Sequence, residues 1–474
     1  MEHLTADICV IGGGSGGLTV AAGAAQLGAR TVLFERGEMG GDCLNYGCVP
    51  SKTLIASSRM AHRARNMRDF GIATGPVKID FTRVADRIRK TITAIAPHDS
   101  QSRFEGLGVT VIRSTARFIS PNEVDGGDVR VKARRIVIAT GSRPFIPPIP
   151  NLETVPYLTN ETIFEHRLRP FHLLIIGGGP IGVELGQAFQ RLGTRVTLVE
   201  ANRILGSSDP EHAQIVRQSL VSDGLTLLEG TTIAGVRWTG AEVIASTSGA
   251  AGCGEIRASH LLVATGRTPR LADLDLDAGG VAYSAKGVSV DRRLRTSNRR
   301  VYALGDVIGG PQFTHAAAYQ AGIVLGNVLF ALRRRADYSA LPSVTFSDPE
   351  LAEVGLREAA ARARFAGVTV ARAGYPTIDR AVTDGEPTGM VKVIIGRRGR
   401  ILGASIVGHQ AGELVQVWTL AIGQRLRARQ VASMISPYPT FGDINKKAIT
   451  NYYGKRLFSK WPRRVATAIR RLVP

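Results

Sequence analysis

Two stretches of 30 residues decide the fold: ADICVIGGGSGGLTVAAGAAQLGARTVLFE (Ala6–Glu35) and FHLLIIGGGPIGVELGQAFQRLGTRVTLVE (Phe171–Glu200). Each opens on an apolar run that reads as a buried strand, Asp7–Ile11 in the first and Leu173–Ile176 in the second. Each run meets glycines spaced G-x-G-x-x-G: Gly12, Gly14 and Gly17, then Gly177, Gly179 and Gly182. A helical run follows, and a second apolar strand ends on an acid, Glu35 or Glu200. In both copies the acid stands 23 residues after the first glycine.

The first glycine of such a run makes a tight turn, the second lets backbone approach a pyrophosphate, and the third lets helix pack on strand. The helix N-terminus then offers N–H groups to the phosphates, and the terminal acid accepts from a ribose hydroxyl. One such run alone is weak, because glycine-rich turns also arise from packing. Two runs in strand–turn–helix–strand context, with equal acid spacing, point to two dinucleotide sites, one for a flavin and one for a nicotinamide. IVIATGSRP (Ile136–Pro144, with Gly141) and LLVATGRTP (Leu261–Pro269, with Gly266) read as strands running into turns where the chain leaves one nucleotide domain for the next. VYALGDV (Val301–Val307) ends a further strand at Asp306, an acid suited to a flavin ribityl hydroxyl. The helix predicted from Thr314, with His315 in its first turn, aims its positive end at a flavin carbonyl edge.

At 474 residues the chain has the length of roughly three domains. Its 44% hydrophobic and 21% charged content suits large cores. No long uncharged apolar run predicts a spanning helix, and the start MEHLTADICVIGGG does not read as a signal peptide. The net charge of +21 comes from 50 Arg and 10 Lys spread along the chain, with no nucleic-acid motif beside them, so no nucleic-acid partner is expected. Four cysteines are too few for a disulfide scaffold and fit a cytoplasmic setting. Cys9 falls inside a strand as a small apolar residue, and Cys253 falls in the glycine-rich turn SGAAGCGE.

The other two cysteines, Cys43 and Cys48, share the segment GGDCLNYGCVPSK (Gly40–Lys52). Their spacing does not match a zinc knuckle. Together with the paired fingerprints and YALGDV, this segment resembles the FAD-dependent pyridine nucleotide-disulfide oxidoreductases, the flavoprotein disulfide reductases that include dihydrolipoyl dehydrogenase, glutathione reductase and mercuric reductase. The resemblance covers roughly residues 5–455. It implies FAD, a reduced nicotinamide, a redox-active Cys43–Cys48 disulfide and a homodimer. Cys48 is then the thiolate against the flavin and Cys43 the exposed thiol that exchanges with substrate. Lys52 pairs with Glu184 beside the flavin, and Gly41 joins the cofactor contacts. A helix starting near VPSK, with Lys52 on it, lowers a thiol's pKa.

The C-terminal third, from LPSVTFSDPELAEVG onward, alternates as strands do and then turns helical at AGELVQVWTLAI. By resemblance it is the dimerisation domain, which completes each active site from the partner chain. The family's acid–base histidine and following glutamate correspond here to Tyr438 and Asp443 in SPYPTFGDINKKA. Tyrosine, near pKa 10, is a poor base where histidine, near 6.5, is a good one. A tyrosine at this place resembles mercuric reductases. Their C-terminal vicinal cysteines and N-terminal CxxC domain find no counterpart in this sequence, whose last cysteine is Cys253. The expected activity is transfer of electrons from the nicotinamide through FAD to the cysteine pair and on to a metal ion or disulfide. A dihydrolipoyl dehydrogenase-type disulfide reductase is the alternative, and a FAD-binding thiol sensor with little turnover is the reading from another class. Glu200 favours NADH; Arg203, three residues on, is the residue that would admit NADPH.

The expected class is α/β. The FAD-binding domain occupies residues 1–146 and 269–340, the NAD(P)-binding domain 147–268, the α+β dimerisation domain 341–454, and a basic amphipathic tail 455–474. The tail carries seven basic residues and no acid. With a helix starting at Pro462, Trp461, Val465, Ile469 and Leu472 share one face. That pattern suits contact with a membrane surface from the cytoplasmic side.

Overall fold

The apolar runs at the two glycine turns form strands inside two sheets, the first mixed, with an antiparallel edge of Arg117–Ser120 and Glu123–Asp125, and the second parallel. In a computed structural model, residues 1–249 and 252–473 are described, apart from the side chains at 455 and 456. Residues 250–251 of the predicted SGAAGCGE turn and residue 474 of the tail lie outside the described residues. In the first sheet Glu2–Ile11 runs parallel to Thr31–Phe34 on one side and Val129–Ile138 on the other. Val109–Ile112 extends the sheet past Thr31–Phe34, and Val301–Ala303 lies along the end of Val129–Ile138. The central strand begins before the predicted Asp7. Its first residues, EHLTA, are partly exposed and are held by register with Val129–Ala133, a long-range pairing with no apolar run to announce it.

The second sheet places His172–Ile176 between Arg195–Glu200 and His260–Val263, all parallel, with Thr226–Glu229 and Tyr157–Leu158 outside them. Parallel neighbours need crossovers; the helices Ser15–Gln26 and Pro180–Arg191 supply one in each sheet. The two predicted exit segments meet: Ser142–Pro144 pairs antiparallel with Arg267–Pro269. These elements belong to one compact unit, residues 1–201 and 226–337.

A second unit joins residues 202–225 to the chain from Tyr338 onward. Its five-stranded antiparallel sheet runs in the order Pro342–Thr345, Glu350–Gly355, Ile401–Gly408, Met390–Ile395, Thr369–Gly374. The core contains the fully buried Trp418, whose indole N–H donates to Asn445 Oδ1 at 2.7 Å. The helix Pro210–Ser222 belongs here because buried polar groups tie it to the sheet. Asp209 caps it and pairs with Lys392 Nζ at 2.8 Å, while His212 Nδ1 meets Ser405 Oγ at 2.6 Å. Lys392 also meets Glu358 at 3.0 Å and Glu211 at 3.3 Å.

The buried Lys392 therefore compensates the buried Asp209, while Glu211 and Glu358 are partly exposed and also pair with Arg372. Removing one partner of a buried ion pair leaves the other uncompensated, which costs about 3–5 kcal/mol. Lys392→Met is expected to destabilise the second unit by that amount, read as a lower urea midpoint. An unchanged midpoint would show that the carboxylates relax to solvent instead.

Candidate active site

Both glycine turns are shaped to admit a phosphate. Gly12 takes φ +112°, and a Cβ there would stand 2.4 Å from the Ala139 carbonyl oxygen. A Cβ at Gly17 would stand 1.9 Å from the Gly12 oxygen. The second copy repeats these distances, 2.5 Å at Gly177 and 1.9 Å at Gly182. The middle glycines differ in kind. A Cβ on Gly179 would meet nothing within 4 Å, and one on Gly14 only the Gly41 Cα, at 3.9 Å. The first and third glycines thus pack turn, strand and helix together, and the second keeps a space open. Neither following helix has a side-chain cap among the described residues, which leaves its first-turn N–H groups without a side-chain acceptor. This cradle fits a dinucleotide in each copy.

Each acid stands at the end of the second strand of its copy. Glu35 accepts from the Gly13 N–H and the Gly37 N–H, both at 2.6 Å, and Glu200 accepts from the Gly178 N–H at 2.7 Å. Each carboxylate is thereby pinned against its own turn. Arg203 lies beyond Glu200, in the segment that belongs to the second unit.

Asp306 stands in the short turn Gly305–Ile308, and the helix Thr314–Leu329 follows, as expected from Thr314. Sequence reasoning did not find the partners of Asp306. Ser142 Oγ donates to it at 2.5 Å, and Arg267 Nε lies 3.6 Å from it while donating to Ser142 Oγ at 2.7 Å. The same guanidinium reaches Asp42 at 3.0 Å, and Asn160 donates to Asp42 at 3.2 Å. Burial raises the Asp306 pKa above the ordinary carboxyl range, with Ser142 and Arg267 opposing the shift. One signal was present: Ser142 and Arg267 directly follow Gly141 and Gly266 in the two exit segments.

Asp42 also adjoins the cysteine pair. Cys43 sits in the short helix Gly41–Asn45, and Cys48 opens the helix Cys48–Arg65. Both are free thiols in this structure; Cys48 is exposed and Cys43 half-buried, the reverse of the expected exposure, because Cys43 lies inside its short helix and Cys48 at the open end of the next. Lys52, one turn along the same helix, meets Glu184 Oε2 at 2.7 Å. Thr314 Oγ1 stands 3.5 Å from Cys48 Sγ. The structure therefore brings together Cys43, Cys48, Lys52, Glu184 and Thr314 from four helices, with His315 stacked on Phe313 beside Thr314.

The two thiols have opposite acidities. A hydrogen bond from Cys43 lowers the Cys48 pKa to about 6, against the effect of burial, with help from Thr314 and the Lys52 charge. That hydrogen bond and burial raise the pKa of Cys43. The reduced pair thus favours a single thiolate on Cys48, the thiol whose pKa is lowered, over one on Cys43. Thiolate absorbance of the reduced protein is expected to fall as pH drops through about 6. Cys43→Ala removes the donor and moves that midpoint upward, towards the ordinary thiol value of about 8.5. A midpoint that does not move would contradict the assignment. Cys9, by contrast, is fully buried, and desolvation alone raises its pKa, as suits an inert core thiol.

Tyr438 and Asp443 lie in the second unit. Tyr438 is 73% exposed, and its hydroxyl donates to Asp379 Oδ2 at 2.6 Å. That bond raises the phenol's pKa further from the neutral range. Asp443 begins the helix Asp443–Leu457 and accepts from the Thr440 N–H at 3.5 Å.

The pyridine nucleotide-disulphide oxidoreductase family matches residues 6–321, and its dimerisation domain matches residues 341–449. A mercuric reductase of Streptomyces lividans is 35% identical over 458 residues, covering 95% of this chain and 97% of its own. A dihydrolipoyl dehydrogenase of Geobacillus stearothermophilus is 32% identical over 452 residues, covering 93% and 95%. Among solved structures, the Cu(II) complex of the HOCl-induced flavoprotein disulfide reductase RclA from Escherichia coli superposes with a TM-score of 0.85 at 26% identity, covering 94% of this chain and 99% of its own.

Proposed function

The chain belongs to the pyridine nucleotide-disulphide oxidoreductase family, and from that premise we propose an NADH-dependent reductase of a soft, thiolate-bound metal ion. In a homodimer, which the dimerisation domain supports, Cys43 and Cys48 receive the substrate. Gly12, Gly14, Gly17, Glu35, Gly41, Asp306 and Thr314 would hold FAD, and Gly177, Gly179, Gly182 and Glu200 would hold the nicotinamide nucleotide. Bound there, the flavin would supply two-electron chemistry between the nicotinamide and the cysteines. Glu200 favours a free ribose hydroxyl over a 2′-phosphate.

With a disulfide substrate, Cys43 must lose its proton to attack one sulfur and release the first thiol. Cys48 thiolate then attacks Cys43 Sγ, forming the Cys43–Cys48 disulfide as the mixed disulfide breaks, and the second thiol leaves as a thiolate with the bonding pair, so the protein pair is oxidised and the substrate reduced by two electrons. That sequence needs a base for Cys43, whose pKa is raised. Tyr438 is the observation that carries the metal reading. Its phenol is held protonated by Asp379 and makes a poor base. A thiophilic metal ion needs less help, because it displaces thiol protons as it binds and takes two sulfurs as ligands.

The deciding experiment compares NADH oxidation driven by mercuric ion, presented as a thiol complex, with that driven by lipoamide. Wild type is expected to turn over faster with the metal. Tyr438→His should raise lipoamide turnover by about 10²-fold, the usual worth of a placed general base. Wild type that prefers lipoamide would overturn the metal reading and favour the dihydrolipoyl dehydrogenase type.

A further inference from the structure

We propose that the second unit carries a docking surface for an anionic lipid bilayer, formed by the terminal helix Lys460–Leu472 and a rim of six arginines. This inference stands apart from the redox reading. The helix begins two residues before the predicted Pro462, and none of its residues is buried. At about 100° per residue, Trp461, Val465, Ala468, Ile469 and Leu472 fall within an arc of about 100°. Lys460, Arg463, Arg464, Arg470 and Arg471 fall within about 120° on the opposite side. Trp461 is 73% and Leu472 81% exposed, so among the described residues little covers the apolar face. A helix of this kind lies in a membrane interface with its apolar face down and its cations among the headgroups.

The second observation comes from the sheet. The turn Arg397–Gly399 and the bridge between Arg400 and Arg427 bring two arginine-rich loops together. Arg397, Arg398, Arg400, Arg425, Arg427 and Arg429 are all exposed. From residue 387 to 442 the sequence holds one acid, Glu413. Among the described residues none of the six arginines pairs with a carboxylate. A Cβ on Gly399 would stand 3.8 Å from Tyr453 Oη, on the helix Asp443–Leu457 that leads into the terminal helix. The rim therefore borders the base of the tail.

The pattern selects its occupant. A nucleic acid would neutralise the cations but leave the apolar face in water. A second copy of the chain would bring the same unpaired cations against each other. An anionic bilayer satisfies both faces at once, and each basic residue near such a surface strengthens binding by roughly fivefold.

The test is co-sedimentation of the FAD-loaded full chain with vesicles of phosphatidylglycerol mixed with phosphatidylcholine, and with phosphatidylcholine alone. The full chain should pellet with the mixed vesicles at low salt, weaken at least tenfold at high salt, and stay in solution with the neutral ones. A chain ending at Phe458 should not pellet, with NADH oxidation unchanged. Arg398→Glu combined with Arg427→Glu, both on exposed loops, should weaken binding more than tenfold with the tail intact. Three results would overturn the proposal. They are equal binding of the full and shortened chains, a fall in oligomeric state when the tail is removed, and a DNA duplex that displaces the vesicles.

Discussion

Cys43→Ser is expected to abolish substrate reduction, with turnover lower by on the order of 10³-fold or more, while bound flavin and its bleaching by NADH persist. The expectation follows from where the two sulfurs sit. Cys48 opens a long helix beside Lys52 and Thr314, an arrangement that favours a thiolate. Cys43 sits on a separate short helix and keeps its proton. Neither thiol alone can close the two-electron couple. The serine hydroxyl is also a different donor to Cys48, so the thiolate midpoint shifts in the same variant. Steady-state oxidation of NADH with each substrate checks the loss. Turnover within tenfold of wild type would mean that electrons reach substrate without the pair.

Gly17→Val should yield protein that retains FAD more than 100-fold less well. A Cβ at this position would lie 1.9 Å from the Gly12 oxygen, far inside contact distance, and the obstacle is backbone that cannot rotate away. The helix Ser15–Gln26 must then leave the turn, and its N–H groups leave the phosphate position. Overpacking of this kind costs up to about 3 kcal/mol, which is a factor of more than 100 in affinity. Gly106→Ala is the control, because a Cβ there meets nothing within 4 Å. Flavin absorbance of the purified variants measures the effect. A fully yellow Gly17→Val protein would contradict the cradle.

These two sites show what a sequence carries and what it does not. The glycine turns were readable because each is local: strand, turn, helix and acid lie within 30 residues. The central strand's first half was not, since EHLTA has no apolar run and is held by Val129–Ala133. The link from Asp306 through Ser142 and Arg267 to Asp42 joins residues more than 100 positions apart, where no periodicity operates. The contact of Thr314 with Cys48 spans 266 positions. Lys52 with Glu184 was legible only through resemblance to a family, and the structure supplies its 2.7 Å geometry. Residues 202–225 looked like part of the second nucleotide domain. Buried bonds from Asp209 and His212 to Lys392 and Ser405 place them instead in the second unit, and such bonds leave no mark in composition.

Anaerobic titration of the FAD-loaded protein with NADH tests the account most directly, because it counts the electrons the protein can store. If the Cys43–Cys48 pair exchanges electrons with the bound flavin, wild type should take up about two equivalents of NADH per flavin, each a two-electron step. The Cys43→Ser, Cys48→Ser double variant should take up about one. Equal uptake by both proteins would contradict the account.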